Sequence, residues 1–214
     1  MEKNTKEHKQ EWVQLAVEAT LKHADIASSM SRFGYDEAKM LEARNKLVDV
    51  RMWDAKHLDH IGSQKKATKD IEDYRKQVDK IYARHLKLAR VALEDHSNFW
   101  DLLKLEGKRK RNLPKWTDQV KSFYYNYERV ADILVKYNIT QDEVEQVKAM
   151  LEAIHDYRVT QSMSKSHAQE ATQQRNKVSR ELDQWMQEFM YVAKLALKSN
   201  PQYLEALGKI VKGK

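Results

Sequence analysis

Asp54–Tyr74 reads DAKHLDHIGSQKKATKDIEDY, and the fold turns on whether the chain reverses at its centre. On the N-terminal side, Met40, Leu47, Val50 and Trp53 follow a helical period; on the C-terminal side, Ile71, Val78, Ile81 and Leu88 do the same. Between them, around His60–Gln64, large apolar residues give way to small and polar ones, with Gly62 and Ser63 at the centre. A fading stripe fits a helix end that meets solvent, and equally a long helix with an exposed middle. Helices far beyond about 25 residues are unusual in compact domains, so the expectation is a hairpin turning at His60–Gln64. The alternative is one continuous helix, because residues 36–95 contain no proline and only one glycine.

The same question recurs further on, at Ser164–Ala168, because the chain resembles itself at an offset of 104. Trp12 falls on Trp116, Leu47 on Leu151, Ala67-Thr68 on Ala171-Thr172, Ala92-Leu93 on Ala196-Leu197 and Leu103 on Leu207. Residue class matches more widely: Met30 meets Leu134, Phe33 meets Tyr137, Trp53 meets Tyr157, Ile81 meets Trp185 and His85 meets Phe189. No gap is needed over about a hundred residues, and this reads as a tandem duplication of one helical unit.

Each copy carries its own turn chemistry. A first helix is expected over about Glu11–Arg32, its stripe running through Trp12, Leu15, Ala16, Ala19, Ile26, Ala27 and Met30. Gly34 suits a left-handed position past its end, and Asp36 suits the N-cap of the next helix. Copy two has Asn138 for Gly34, and Thr140 with Glu143 in capping-box spacing. A short closing segment follows each long stretch, at Asn98–Leu105 and after Pro201. The expected fold is therefore all-α: two tandem three-helix (up-down-up) units, each closed by a short helix, or alternatively very long continuous helices packed antiparallel. The expected division is 1–106 for copy one, 107–114 for a basic linker and 115–214 for copy two.

Composition agrees. Of 214 residues, 33% are charged and 41% hydrophobic, with 5 Gly and 2 Pro, the profile of a helical chain with enough apolar mass for a core. Zero Cys removes disulfides, thiolate nucleophiles and Cys metal sites. No run of about 20 apolar residues offers a membrane span, and MEKNTKEHKQ lacks the apolar core of a secretory signal, so a cytoplasmic protein with no membrane partner is expected. The net charge of +7 is modest, since 39 Lys and Arg are interleaved with 32 Asp and Glu.

Copy two resembles a broad set of bacterial all-helical proteins with no known activity. The matching features are Trp116 early in the first helix, the turn Tyr137-Asn138-Ile139, the pair Arg175-Asn176, Asn200-Pro201 and Leu207-Gly208. The resemblance covers about 100 residues and implies a helical fold, but no catalytic residue and no cofactor.

Several constellations bear on chemistry. Glu152-Ala-Ile-His155 sets a carboxylate and an imidazole on one helix face, the spacing used in di-iron bundles, but the counterpart of His155 is Arg51. Asp54, His57 and His60 lie on adjacent turns, whereas the other copy has Arg158, Gln161 and Ser164. Both are read as surface polar groups, with no metal and no cofactor expected. Lys108, Arg109, Lys110 and Arg111, flanked by Lys104 and Lys115, form the one dense basic run; they are either a solvated linker or a nucleic-acid contact over 104–115. Trp100, Trp116, Tyr124, Tyr125 and Tyr127 gather around the junction and read as core. No P-loop, dinucleotide fingerprint or nucleophile elbow is present. The functional expectation is a non-enzymatic structural or protein-interaction protein, with an unknown protein partner or self-association. A nucleic-acid-associated protein is the alternative, and a metal-binding helical bundle the second.

Overall fold

The computed structural model describes residues 6–208, and every regular element among them is helical. The long stretches do not turn. α3 runs unbroken over Glu37–Ala92 and α7 over Gln141–Ala196, 56 residues each. The hairpins expected at His60–Gln64 and Ser164–Ala168 are thus replaced by the alternative, and the three-helix up-down-up unit with them. Gly62 and Ser63 weaken the helix by about 1 kcal/mol or less apiece, but neither can stop it without a proline or a left-handed residue behind it. None of the described helices is long and apolar enough to cross a membrane.

The chain divides into two compact units. Unit 1 is the chain up to His60 together with the chain from Ser166 onward; unit 2 is Ile61–Lys165. This division differs from 1–106 and 115–214, because each long helix contributes one part to each unit.

In unit 1, α1 (Lys6–Lys22) and α2 (Ala24–Ser31) meet at His23, where the expected single first helix breaks. Their apolar faces supply Val13, Ala16, Val17, Ile26 and Met30 to a core with Met40, Leu47 and Val50 of α3 and Leu182, Met186, Phe189 and Ala193 of α7. Here α3 and α7 run antiparallel: Lys46 pairs with Glu181, Asp54 with Arg175, and His57 meets Thr172. α8 (Tyr203–Ala206) closes the unit with Leu204 and Leu207. Trp12 is half-buried and donates from Nε1 to the Leu207 carbonyl at 2.9 Å.

In unit 2, α4 (Trp100–Leu103), α5 (Leu113–Tyr125) and α6 (Ala131–Leu134) pack on the remaining parts of α3 and α7. Antiparallel pairing again holds, with Thr68 against Gln161, Tyr74 against Tyr157 and Arg84 against Glu143. The junction aromatics divide by depth. Trp116, Tyr124 and Tyr127 are buried in this core, Trp100 is half-buried, and Tyr125 is exposed.

Small residues explain the fading stripe. Ala67 and Ser164 in unit 2, and Ala168 and Ala171 in unit 1, are all buried. These positions are interior although their side chains carry little apolar volume.

Local signals at the turns are realised. Gly34 and Asn138 both have positive φ, at +81° and +58°. Asp36 Oδ1 accepts from the Lys39 amide at 2.9 Å, and Thr140 Oγ1 from the Glu143 amide at 3.3 Å. The Glu143 carboxylate does not complete the capping box; it turns to Arg84 and His85 instead.

A candidate polyanion-binding groove

The basic run is held in place. After α4, Lys104 takes a left-handed conformation at φ +51° and Gly107 another at +69°, so the chain turns back along α3 instead of leaving it. Arg90 of α3 donates to the carbonyls of Leu105 at 2.8 Å and Gly107 at 2.6 Å. Arg75, four turns earlier on α3, donates to the carbonyl of Arg111. Arg109 pairs with Asp79 at 2.6 Å, and that carboxylate also accepts from Trp116 Nε1 at 3.1 Å. Buried Gln119 accepts from the Lys110 amide at 2.9 Å. Leu113 and Pro114 already belong to α5, capped by Asn112, so the last two residues of the expected linker 107–114 are helical.

Between this strap and α3 lies a cavity of about 820 Å³, entirely within unit 2. Arg75, Lys76, Lys87 and Arg90 line it from the helix, and Lys108, Arg109, Lys110 and Arg111 from the strap; the only acids are Glu72 and Asp79. Eight of the chain's 39 Lys and Arg are therefore set against two of its 32 Asp and Glu. The remaining charges nearly cancel, so most of the +7 net charge sits at this groove. Among the described residues, no carboxylate pairs with Lys87, Lys108, Lys110 or Arg111, so four cations face the cavity uncommitted.

Unit 2 also holds a polar series that sequence reasoning missed. The Tyr124 hydroxyl lies 3.0 Å from His85 Nδ1, and His85 Nε2 lies 3.2 Å from Glu143 and 3.1 Å from Arg84, which donates to the same carboxylate. Burial holds the His85 pKa below its usual value, against the pull of Glu143, and the imidazole is neutral. Burial likewise pushes the Tyr124 hydroxyl up. Order and spacing resemble a relay to a nucleophile, but Tyr124 and His85 are both fully buried. Neither side chain is open to solvent, and their contacts satisfy polar groups inside the core. A signal was present: His85 falls on Phe189, an apolar-stripe position, and a histidine there needs partners at depth.

The metal-type spacings do not converge. Glu152 accepts from Tyr125 and lies 3.7 Å from Lys121, and these hold its carboxyl below the usual range. His155 lines a small cleft beside Lys121 and Arg158, cations that oppose a metal ion. His57 Nδ1 lies 3.1 Å from both the Ala168 carbonyl and the Thr172 hydroxyl, Asp54 bonds Arg175, and His60 packs on His167 with ring centroids 5.1 Å apart. Among the described residues, no group of three or more His, Asp and Glu is arranged to hold a metal ion. Fold and site together describe an all-helical protein with a basic groove. Comparisons with family models, curated proteins and solved structures found no match to this chain.

Proposed function

We propose that this chain is a non-enzymatic helical interaction protein of the bacterial cytoplasm, built by tandem duplication, whose contact surface is the basic groove of unit 2. The observation that carries this reading is the concentration of net charge at that groove, with four cations uncommitted. A surface so charged works by attracting an acidic partner. The burial of Tyr124 and His85 supports a binding role over turnover, since the chain's most relay-like pair is spent on its own core.

Duplication is supported by position. α3 and α7 begin at Glu37 and Gln141 and end at Ala92 and Ala196, both 104 apart. Left-handed residues recur at the same offset, Gly34 with Asn138 and Lys104 with Gly208. On this reading the copies interleave, each compact unit taking opening helices from one copy and a closing segment from the other. The resemblance of copy two to bacterial helical proteins, over about 100 residues, fits a single ancestral unit. The copies have diverged at the groove: Arg75, Lys76, Lys87 and Arg90 correspond to Ser179, Arg180, Tyr191 and Lys194, which halves the cations.

Salt elution from immobilised heparin tests the contact surface. The full chain is compared with K87Q/K108Q/K110Q/R111Q and with a control of equal charge, K165Q/K177Q/K194Q/K198Q. The groove variant is expected to elute at clearly lower salt than the control. Equal elution would show that only net charge matters and would remove the groove reading.

A further inference from the structure

We infer that the groove of unit 2 takes the phosphodiester backbone of a nucleic-acid duplex and contacts it independently of base sequence. This rests on the reading of the groove as the contact surface and names its ligand class.

Three properties of the lining select that class. First, the cations extend along a row. Arg75 to Arg90 covers about four turns of α3, about 22 Å at 1.5 Å per residue, with the strap running alongside. A duplex presents one charge per about 1.7 Å of its axis, so a groove of that length meets many phosphates at once, whereas a small anion would use one corner.

Second, the groove has no anchor for a protein partner. Protein interfaces draw most of their affinity from buried aromatic or large apolar side chains seated in pockets, and their centres are depleted of charge. The apolar residues here are Ala83 and Leu86, and Leu86 is itself buried in the core.

Third, no aromatic side chain lines the groove. The nearest indole, Trp116, is 1% exposed and covered by the Arg75 guanidinium 5.2 Å from its ring. Binding of single strands relies on aromatic platforms that stack exposed bases. A surface of cations without platforms reads phosphates and leaves bases untouched, which favours a duplex, whose bases are already stacked.

The strap contributes geometry. Arg75, Arg90 and Arg109 are consumed in fixing it, through the carbonyls of Arg111, Leu105 and Gly107 and through Asp79. Lys108, Lys110 and Arg111 are left with charged heads free on a restrained backbone. A contact made this way loses less conformational entropy than one made by a flexible tail.

The test is an anisotropy titration of the full chain against labelled 24-base-pair duplex DNA, duplex RNA, a 24-nucleotide single strand and a poly-glutamate peptide, each at several salt concentrations. Two DNA duplexes of different sequence should bind alike. Engaging four phosphates gives a slope of log affinity against log salt of about −3.6, at about −0.9 per phosphate. K87Q/K108Q/K110Q/R111Q should flatten most of that slope, while K165Q/K177Q/K194Q/K198Q should keep it; circular dichroism melts verify that both variants are folded. The DNA and RNA arms show which duplex is preferred, and Gln-sensitive binding of either supports the inference. Single-strand binding as tight as duplex binding would overturn it. Groove-dependent capture of poly-glutamate without duplex binding would also overturn it, while leaving the groove as the contact surface. If no polyanion binds, both readings fall.

Discussion

Trp12 lies directly against Gly208: a Cβ on Gly208 would stand 2.7 Å from Trp12 Cδ1 and 2.9 Å from Nε1. The same indole donates to the Leu207 carbonyl, so the ring cannot move aside without breaking that bond. Gly208 also has φ +79°. Gly208→Ala therefore combines left-handed strain with a clash and should cost about 2–4 kcal/mol. Gly34 shares the positive φ but has nothing within 4 Å of its would-be Cβ, so Gly34→Ala should cost only about 1 kcal/mol. Urea denaturation of the two variants checks the difference; equal losses would mean that the Trp12 contact contributes nothing.

Gly62 lies inside α3 with open space around it. Replacing it by alanine removes the backbone-entropy cost of a helical glycine, worth about 1 kcal/mol. Gly62→Ala should raise the melting temperature by about 2–4 °C in a chain of this size. A hairpin at His60–Gln64 predicts the reverse, so a lowered melting temperature would contradict the continuous helix.

Tyr82 is fully buried, and its hydroxyl has no hydrogen-bond partner among the described residues. Its ring packs edge-on to Phe123 with centroids 5.6 Å apart, a contact that phenylalanine keeps. Tyr82→Phe should thus stabilise the protein by about 1 kcal/mol, read from a denaturation midpoint. A loss would reveal that the hydroxyl is satisfied by a bound water.

His85 makes stability depend on pH. Its folded pKa lies below the ordinary value of 6.5, because burial disfavours the imidazolium. The unfolded chain therefore takes up the proton first as pH falls. The stabilisation is complete above about 6.5 and declines as pH drops toward the lowered folded value. Glu143 acts in the same direction at lower pH: burial opposes its charge, but Arg84 and His85 outweigh that and hold its carboxyl below the usual range. Melting temperatures at pH 7.5, 6.5 and 5.5 should fall in the native chain and fall less in His85→Gln. Parallel curves for the two proteins would assign the pH dependence elsewhere.

Much of the fold is legible in the residues. Met40, Leu47 and Val50, and Ile71 and Val78, are buried as their spacing implies. Gly34, Asn138 and Asp36 act at the turns as their chemistry requires. The centre of each long helix misleads because a pattern of apolar size cannot separate an exposed small residue from a buried one. Ala67, Ala168 and Ala171 are as buried as leucines, yet they read as a gap. Trp12 misleads in another way: placed like Trp116 on its stripe, it remains half-exposed while Trp116 is sealed. The groove is half legible. Lys108–Arg111 is visible as a run, but Arg75 and Arg90 are separated from their carbonyl partners by 36 and 15 to 17 residues, and nothing local marks them as latches.

The membership of the two units also fixes the order in which they become possible during synthesis. Unit 2 is one uninterrupted segment, so all its parts are present once Lys165 has left the ribosome. Unit 1 joins partners as distant as Lys9 and Asp183, 174 apart, and Trp12 and Leu207, 195 apart. Its opening helices must wait, with Val13, Ile26 and Met30 lacking their α7 partners, until residues 182–207 have been made. The nascent chain thus carries an unfinished apolar surface until Leu207 has been made, and this is the period when it most needs protection from aggregation.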